Sequence, residues 1–160
     1  MLYLNFKNRG KLSYQFLRIA VKLTEFDKVT QNYGTDTKLT MAEIHMIKAI
    51  KETDDCHVTK LAALLGVTKG AVSQITKKLE RKHMISKSTD PNNLSKQILR
   101  LTDIGETAND CHEALHKEFD AVFMETLANA TPENIEFLKD FLHRMETEID
   151  VYESNGHIQL

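Results

Sequence analysis

The sequence predicts a mainly α-helical chain carrying one small β-hairpin, and three observations lead there. Apolar residues recur every three to four positions over most of the chain, which is the spacing of one helix face. Helix-start signals, Thr40-x-x-Glu43, Thr68 and Thr131-Pro132, stand ahead of three such runs. Only between Met84 and Leu101 does the pattern change, to two short β-prone runs around Asp90-Pro91-Asn92-Asn93. The composition agrees, with 160 residues, 41% hydrophobic and 28% charged, and only two prolines, six glycines and no tryptophan. Such a chain can bury a core, and it is neither disordered nor a turn-dense all-β protein.

The elements follow in order. Leu12, Phe16, Ile19, Ala20, Leu23 and Phe26 make a first amphipathic helix, with Gly34 as a plausible stop. The capping box Thr40-x-x-Glu43 opens a second helix with Ile44, Ile47 and Ile50 on one face. A short helix from Thr59 carries Leu61, Ala62, Leu64 and Leu65 and ends at Gly66; Thr68 then caps a helix whose Ala71, Val72, Ile75 and Leu79 face inward. Residues 84–88 and 97–101 are the strands of a hairpin with a long tip. Ile104, Ala108, Cys111, Leu115, Val122 and Phe123 mark a long helix, and Ile135, Leu138, Leu142, Met145, Ile149 and Tyr152 mark the last. Apolar stripes at both ends, beside a small core already complete, need a further surface, and a second copy of the chain is the simplest one.

The charge is uneven. The net value of −2 hides a segment, residues 58–102, with nine basic side chains against Glu80 and Asp90 alone, followed by a strongly acidic stretch. A basic middle segment is an electrostatic footprint for a polyanion. The longest apolar stretch, Leu61 to Val67, is far too short to span a bilayer, and no apolar run follows Lys7 and Arg9, so neither a membrane segment nor a signal peptide is expected. Cys56 and Cys111 are too few for a disulfide framework, and a reducing cytoplasm is the expected setting.

The short helix, the Gly66-Val67 step and the helix from Thr68 read as a helix-turn-helix. With the apolar face inward, Lys69, Gly70, Ser73, Gln74, Lys77 and Lys78 lie outward or on the flanks. Ser73 and Gln74 suit base edges, Gln matching the bidentate pattern of adenine. Gly70 permits close approach of the helix start at Thr68, while Lys69, Lys77 and Lys78 suit phosphates. The expected partner is double-stranded DNA.

The run Gly66-Val67-Thr68-Lys69-Gly70-Ala71-Val72-Ser73-Gln74-Ile75-Thr76, with Leu61-Ala62 before it and Leu79-Glu80 after it, resembles the DNA-binding core of the MarR family. So do Asp90-Pro91 and Leu101-Thr102-x-x-Gly105, and the likeness covers about residues 39–108. It implies a winged helix-turn-helix regulator of transcription, most often a repressor. Such a protein sits on a pseudo-palindromic operator as a homodimer and responds to a small effector. It also implies one domain over 1–160, with 39–103 as the winged lobe and 1–36 and 104–160 as dimerisation helices. One departure stands out. Where the family's wing carries arginines after Asp-Pro, this chain has Asn93-Leu94-Ser95, leaving Lys87, Asn92 and Lys96 for phosphate contacts.

His112-Glu113-Ala114-Leu115-His116 matches H-E-x-x-H, which places two imidazoles on one helix face where they can share Zn²⁺. As a peptidase it would use Glu113 as base, with Glu136 as a candidate third ligand, but no substrate-binding sheet remains to be built. The sequence also resembles the zinc-sensing branch of the MarR family. That resemblance implies His45, His112, His116 and Asp27 as metal ligands and Zn²⁺ as effector. A redox or small-aromatic sensor of the same fold is the other reading. Cys56 follows Asp54-Asp55, whose charges oppose thiolate formation, and Cys111 falls on an apolar helix face.

Overall fold

The computed structural model describes residues 11–27, 31–91 and 93–154, with the side chains of residues 26, 27, 95 and 153 outside the description. Its order is α1 (Leu12–Asp27), α2 (Met41–Glu52), α3 (Val58–Leu65), α4 (Lys69–Arg81), β1 (Ile85–Asp90), β2 (Asn93–Leu101), α5 (Asp103–Thr126) and α6 (Pro132–Ser154). The chain divides into two compact units, Met1–Leu115 and His116–Leu160, and α5 is continuous across their boundary.

In the first unit the capping box closes as expected. The Thr40 amide donates to Glu43 Oε2 at 2.8 Å, and the Glu43 amide donates to Thr40 Oγ1 at 3.3 Å. Gly66 takes the left-handed conformation at φ 66°, which ends α3 without steric cost. Thr68 caps α4 by accepting from the Ala71 amide at 3.2 Å. The core joins Leu39, Ile44, Ile47, Leu61, Val72, Leu79, Met84 and Leu99, all essentially buried. It therefore lies where α2, α3 and α4 meet the hairpin, and what remains outward on α4 is polar.

Several expectations are corrected. α3 begins at Val58, one residue early, with His57 as an N-cap whose side chain makes no capping bond to the helix. Gly34 is not the stop of α1. It sits at φ 70° in a turn closed by the antiparallel bridge between Gln31 and Leu39. The hairpin tip is short, because the strands run on to Asp90 and Asn93. Thr89 pairs with Gln97 and Asp90 with Asn93, so Leu94, Ser95 and Lys96 form a bulge with no partner on β1. Thr76 joins the inward face of α4, its hydroxyl turned back to the Ser73 carbonyl at 3.2 Å.

In the second unit, Thr131 caps α6 ahead of Pro132, accepting from the Asn134 amide at 3.3 Å. Ile135, Leu138 and Met145 are half-buried, whereas Leu142, Ile149 and Tyr152 are exposed. The stripe expected on α5 is buried only at Ala108 and partly at Cys111; Phe119, Val122 and Phe123 are exposed in the single chain, as are Leu17, Ile19 and Leu23 of α1. No helix among the described residues is long and apolar enough to cross a membrane.

Candidate functional site

The outward face of α4 holds the residues expected at a nucleic-acid surface. Thr68, Lys69, Gly70, Gln74, Lys77 and Lys78 are exposed and Ser73 is half-buried, while Val72, Thr76 and Leu79 anchor the opposite side. Neighbouring helical turns thus present Gln74 between cations, an arrangement able to combine base-edge contact with phosphate neutralisation. The hairpin lysines are placed differently. Lys87 donates to Glu80 Oε2 on α4 at 2.6 Å. Lys96 pairs with Asp55 and lies 3.4 Å from Asp90 Oδ2, and its side chain is only 19% exposed. Asn92 lies outside the described residues.

The second cluster arises where α2 and α5 run side by side in opposite directions. Lys48 donates to Glu113 Oε1 at 2.6 Å, and Lys51 to Glu106 Oε2 at 2.6 Å. These half-exposed pairs are screened by solvent, so they set register more than stability. In that register His45 meets His112, their ring centroids 5.4 Å apart. His116 follows one turn later on the same unbroken helix. The ligand-capable atoms of His45, His112 and His116 all lie within 4.8 Å of one another. Nitrogens around a tetrahedral Zn²⁺ stand about 3.3 Å apart, so small rotamer changes bring three imidazoles into range. Asp27 ends α1, and its side chain lies outside the described residues.

Two neighbours of this cluster carried no sequence signal. Tyr33, buried and at φ 43°, sets its ring edge-on to His112 with centroids 5.6 Å apart. Asn109, one turn before His112 on the same buried face, has a side-chain oxygen with no hydrogen-bond partner among the described residues. A buried acceptor left without a partner costs about 1–3 kcal/mol.

The peptidase and redox readings lose their chemistry. Glu113 is engaged by Lys48 and is not a free general base. Cys56 is buried, and burial pushes its thiol up to about 11, away from the thiolate a redox sensor needs. Cys111 packs against the core.

Residues 39–94 match the model of the MarR family. The chain is 26% identical over 123 residues to the HTH-type transcriptional regulator YhjH of Bacillus subtilis, covering 77% of this chain and 70% of that one. It is 24% identical over 116 residues to the HTH-type transcriptional regulator PchR of the same organism, covering 72% and 69%. Among solved structures, Lactococcus lactis ZitR in complex with DNA superposes with a TM-score of 0.71 at 21% identity, over 88% of this chain and 99% of that chain. The adhesin competence repressor AdcR of Streptococcus pyogenes gives 0.71 at 19% identity, over 88% and 98%. ZitR is described elsewhere among these structures as a zinc-responsive MarR family member. Over residues 39–94, its winged helix-turn-helix lobe, the chain matches the MarR family, and the relatives it resembles are HTH-type transcriptional regulators.

Proposed function

We propose that this chain is a cytoplasmic, zinc-responsive repressor that binds a pseudo-palindromic duplex as a homodimer. The carrying observation is the convergence of His45, His112 and His116 in a lobe whose α4 displays Gln74 among lysines. Residues 39–103 are the reading lobe, and 1–36 with 104–160 are the dimerisation helices. The exposed apolar side chains of α1, α5 and α6 support a second copy as their cover.

The residues present fit a zinc ion: three imidazoles converge, and Asp27 is the proposed fourth ligand. Bound there, the metal supplies a tie between α2 and α5. Everything else falls to the chain. α2 packs on α4 in the core, so a change in the α2–α5 spacing alters how α4 is presented. The effector then shifts DNA affinity only by its preference for one of the two spacings.

The test begins with selection of a duplex from a random pool by the full-length protein. Chelation is expected to change the affinity of the wild type for that duplex and to leave His112→Ala/His116→Ala unaffected. An unaltered zinc dependence in the double variant overturns the metal reading. On the same duplex, Gln74→Ala is expected to cost about 1–3 kcal/mol and to relax preference at one position per half-site. Lys77→Ala should weaken all sequences alike and reduce the salt slope by about one. If both variants bind as the wild type does, α4 presents a different face.

A further inference from the structure

The hairpin's cations are Lys87, Lys96 and Arg100. Lys87 is paired with Glu80 on α4. Lys96 is held by Asp55 from the α2–α3 connection and by Asp90 from β1, an arrangement that holds the Asp55 carboxyl below its usual range. Arg100 lies opposite Ser86, toward the base of the hairpin and away from the turn. A lysine already neutralised by its own protein's carboxylates releases few counterions on meeting DNA. Electrostatically the tip is spent.

What the tip presents instead is Leu94, 82% exposed and the most exposed of the large hydrophobic side chains described. Its position is built. The bulge of residues 94–96 turns Lys96 to Asp55 and Asp90 while leaving Leu94 out in solvent, and bulges of this kind re-aim a side chain. The Lys96 pairs pin the strand just beyond Leu94 to the α2–α3 connection, so the tip is braced against the lobe that carries α4.

We infer that the wing enters the minor groove through Leu94, as an apolar wedge in place of a cation. The inference rests on the DNA-binding reading above. The groove is about 6 Å wide, and apolar side chains of minor-groove proteins wedge between base steps there. A wedge of this kind favours the pyrimidine–purine steps that unstack most readily, so Leu94 reads deformability rather than base edges. Its contribution is insensitive to salt, which distinguishes it from any lysine or arginine contact.

The experiment uses full-length protein and a duplex selected from a random pool by the wild type, with affinities measured between 50 and 200 mM salt. Leu94→Ala is expected to bind about tenfold more weakly with an unchanged salt slope. A fresh selection with that variant should lose the flanking pyrimidine–purine step. Leu94→Arg is expected to steepen the slope by about one unit for each wing. Lys96→Ala should leave the slope as it is. Because Leu94 is exposed, each Leu94 variant should melt as the wild type does, which separates a contact from a folding defect. Leu94→Ala binding and selecting like the wild type overturns the inference, as does a slope reduced by about one in Lys96→Ala. A wild type that selects no duplex overturns the DNA-binding reading itself, and this inference with it.

Discussion

Gly105→Ala is expected to cost at least about 3 kcal/mol of folding stability, a large share of what a domain of this size has. A methyl group at that position would sit 2.0 Å from the Met84 carbonyl oxygen and 3.0 Å from its carbon. In a free helix the same change would gain about 1 kcal/mol through helix propensity, so the contact decides the sign. Neither side can give easily. Met84 is fully buried, and its carbonyl accepts from the Thr102 amide at 3.0 Å. The Thr102 hydroxyl donates to the His83 carbonyl at 2.6 Å and accepts from the Gly105 amide at 3.1 Å. Leu101-Thr102-x-x-Gly105 is thus the device that seats the first turn of α5 on the step from α4 to β1. That step is itself a helix ending with His83 at φ 59°, closed by the Met84 amide on the Leu79 carbonyl at 2.9 Å. Urea unfolding measures the loss, and an unchanged midpoint would mean that α5 can slide. Gly70→Ala is the control. There a methyl group meets only Thr68 Oγ1 at 3.7 Å, so stability should hold or rise while DNA affinity falls.

The signals read correctly from sequence are those that act within a turn of the chain. The capping box at Thr40 and Glu43, the cap at Thr68, the left-handed Gly66 and Thr131-Pro132 each join residues at most four apart, and each forms. The His112/His116 pair is legible for the same reason, since helical spacing puts both on one face. His45 is another matter. It came from a resemblance, and only the register of α2 on α5 brings it to the pair. Contacts across distant segments carry no period, and there the sequence reading was incomplete. Lys96, a phosphate ligand by its place in the wing, is paired with Asp55, forty-one positions away. Thr76 carries no helical-face signal as a polar residue, yet its hydroxyl is satisfied within its own helix and the side chain is buried. The stripes of α1, α5 and α6 are apolar as their spacing predicts, and much of each is exposed among the described residues.

The second large effect concerns the ion pair joining α2 to the end of α4. Lys82 Nζ donates to both oxygens of Glu43 at 2.7 Å and to the Lys38 carbonyl at 2.9 Å, and the Glu43 side chain is only 4% exposed. Lys82→Met is expected to cost about 3 kcal/mol at neutral pH, because it strands a buried carboxylate. The dependence on pH identifies the cause. Burial pushes the Glu43 carboxyl up, but bonds from Lys82 and the Thr40 amide outweigh it and hold the group below its usual value of 4.5. The pair's contribution is therefore fully present above that value and is lost as pH falls through the lower, folded-state value. In Lys82→Met, burial acts against the Thr40 bonds alone, so the carboxyl moves up and protonates sooner. The gap between variant and wild type should narrow between pH 7 and pH 4, read as urea midpoints. Glu43→Gln keeps an acceptor for the capping box and removes the charge. Added to Lys82→Met it should recover part of the loss, and the gap between Glu43→Gln alone and this double variant should not change with pH. A gap that stays constant with pH would mean that the lysine stem, through packing, and not its charge, holds α4 against α2.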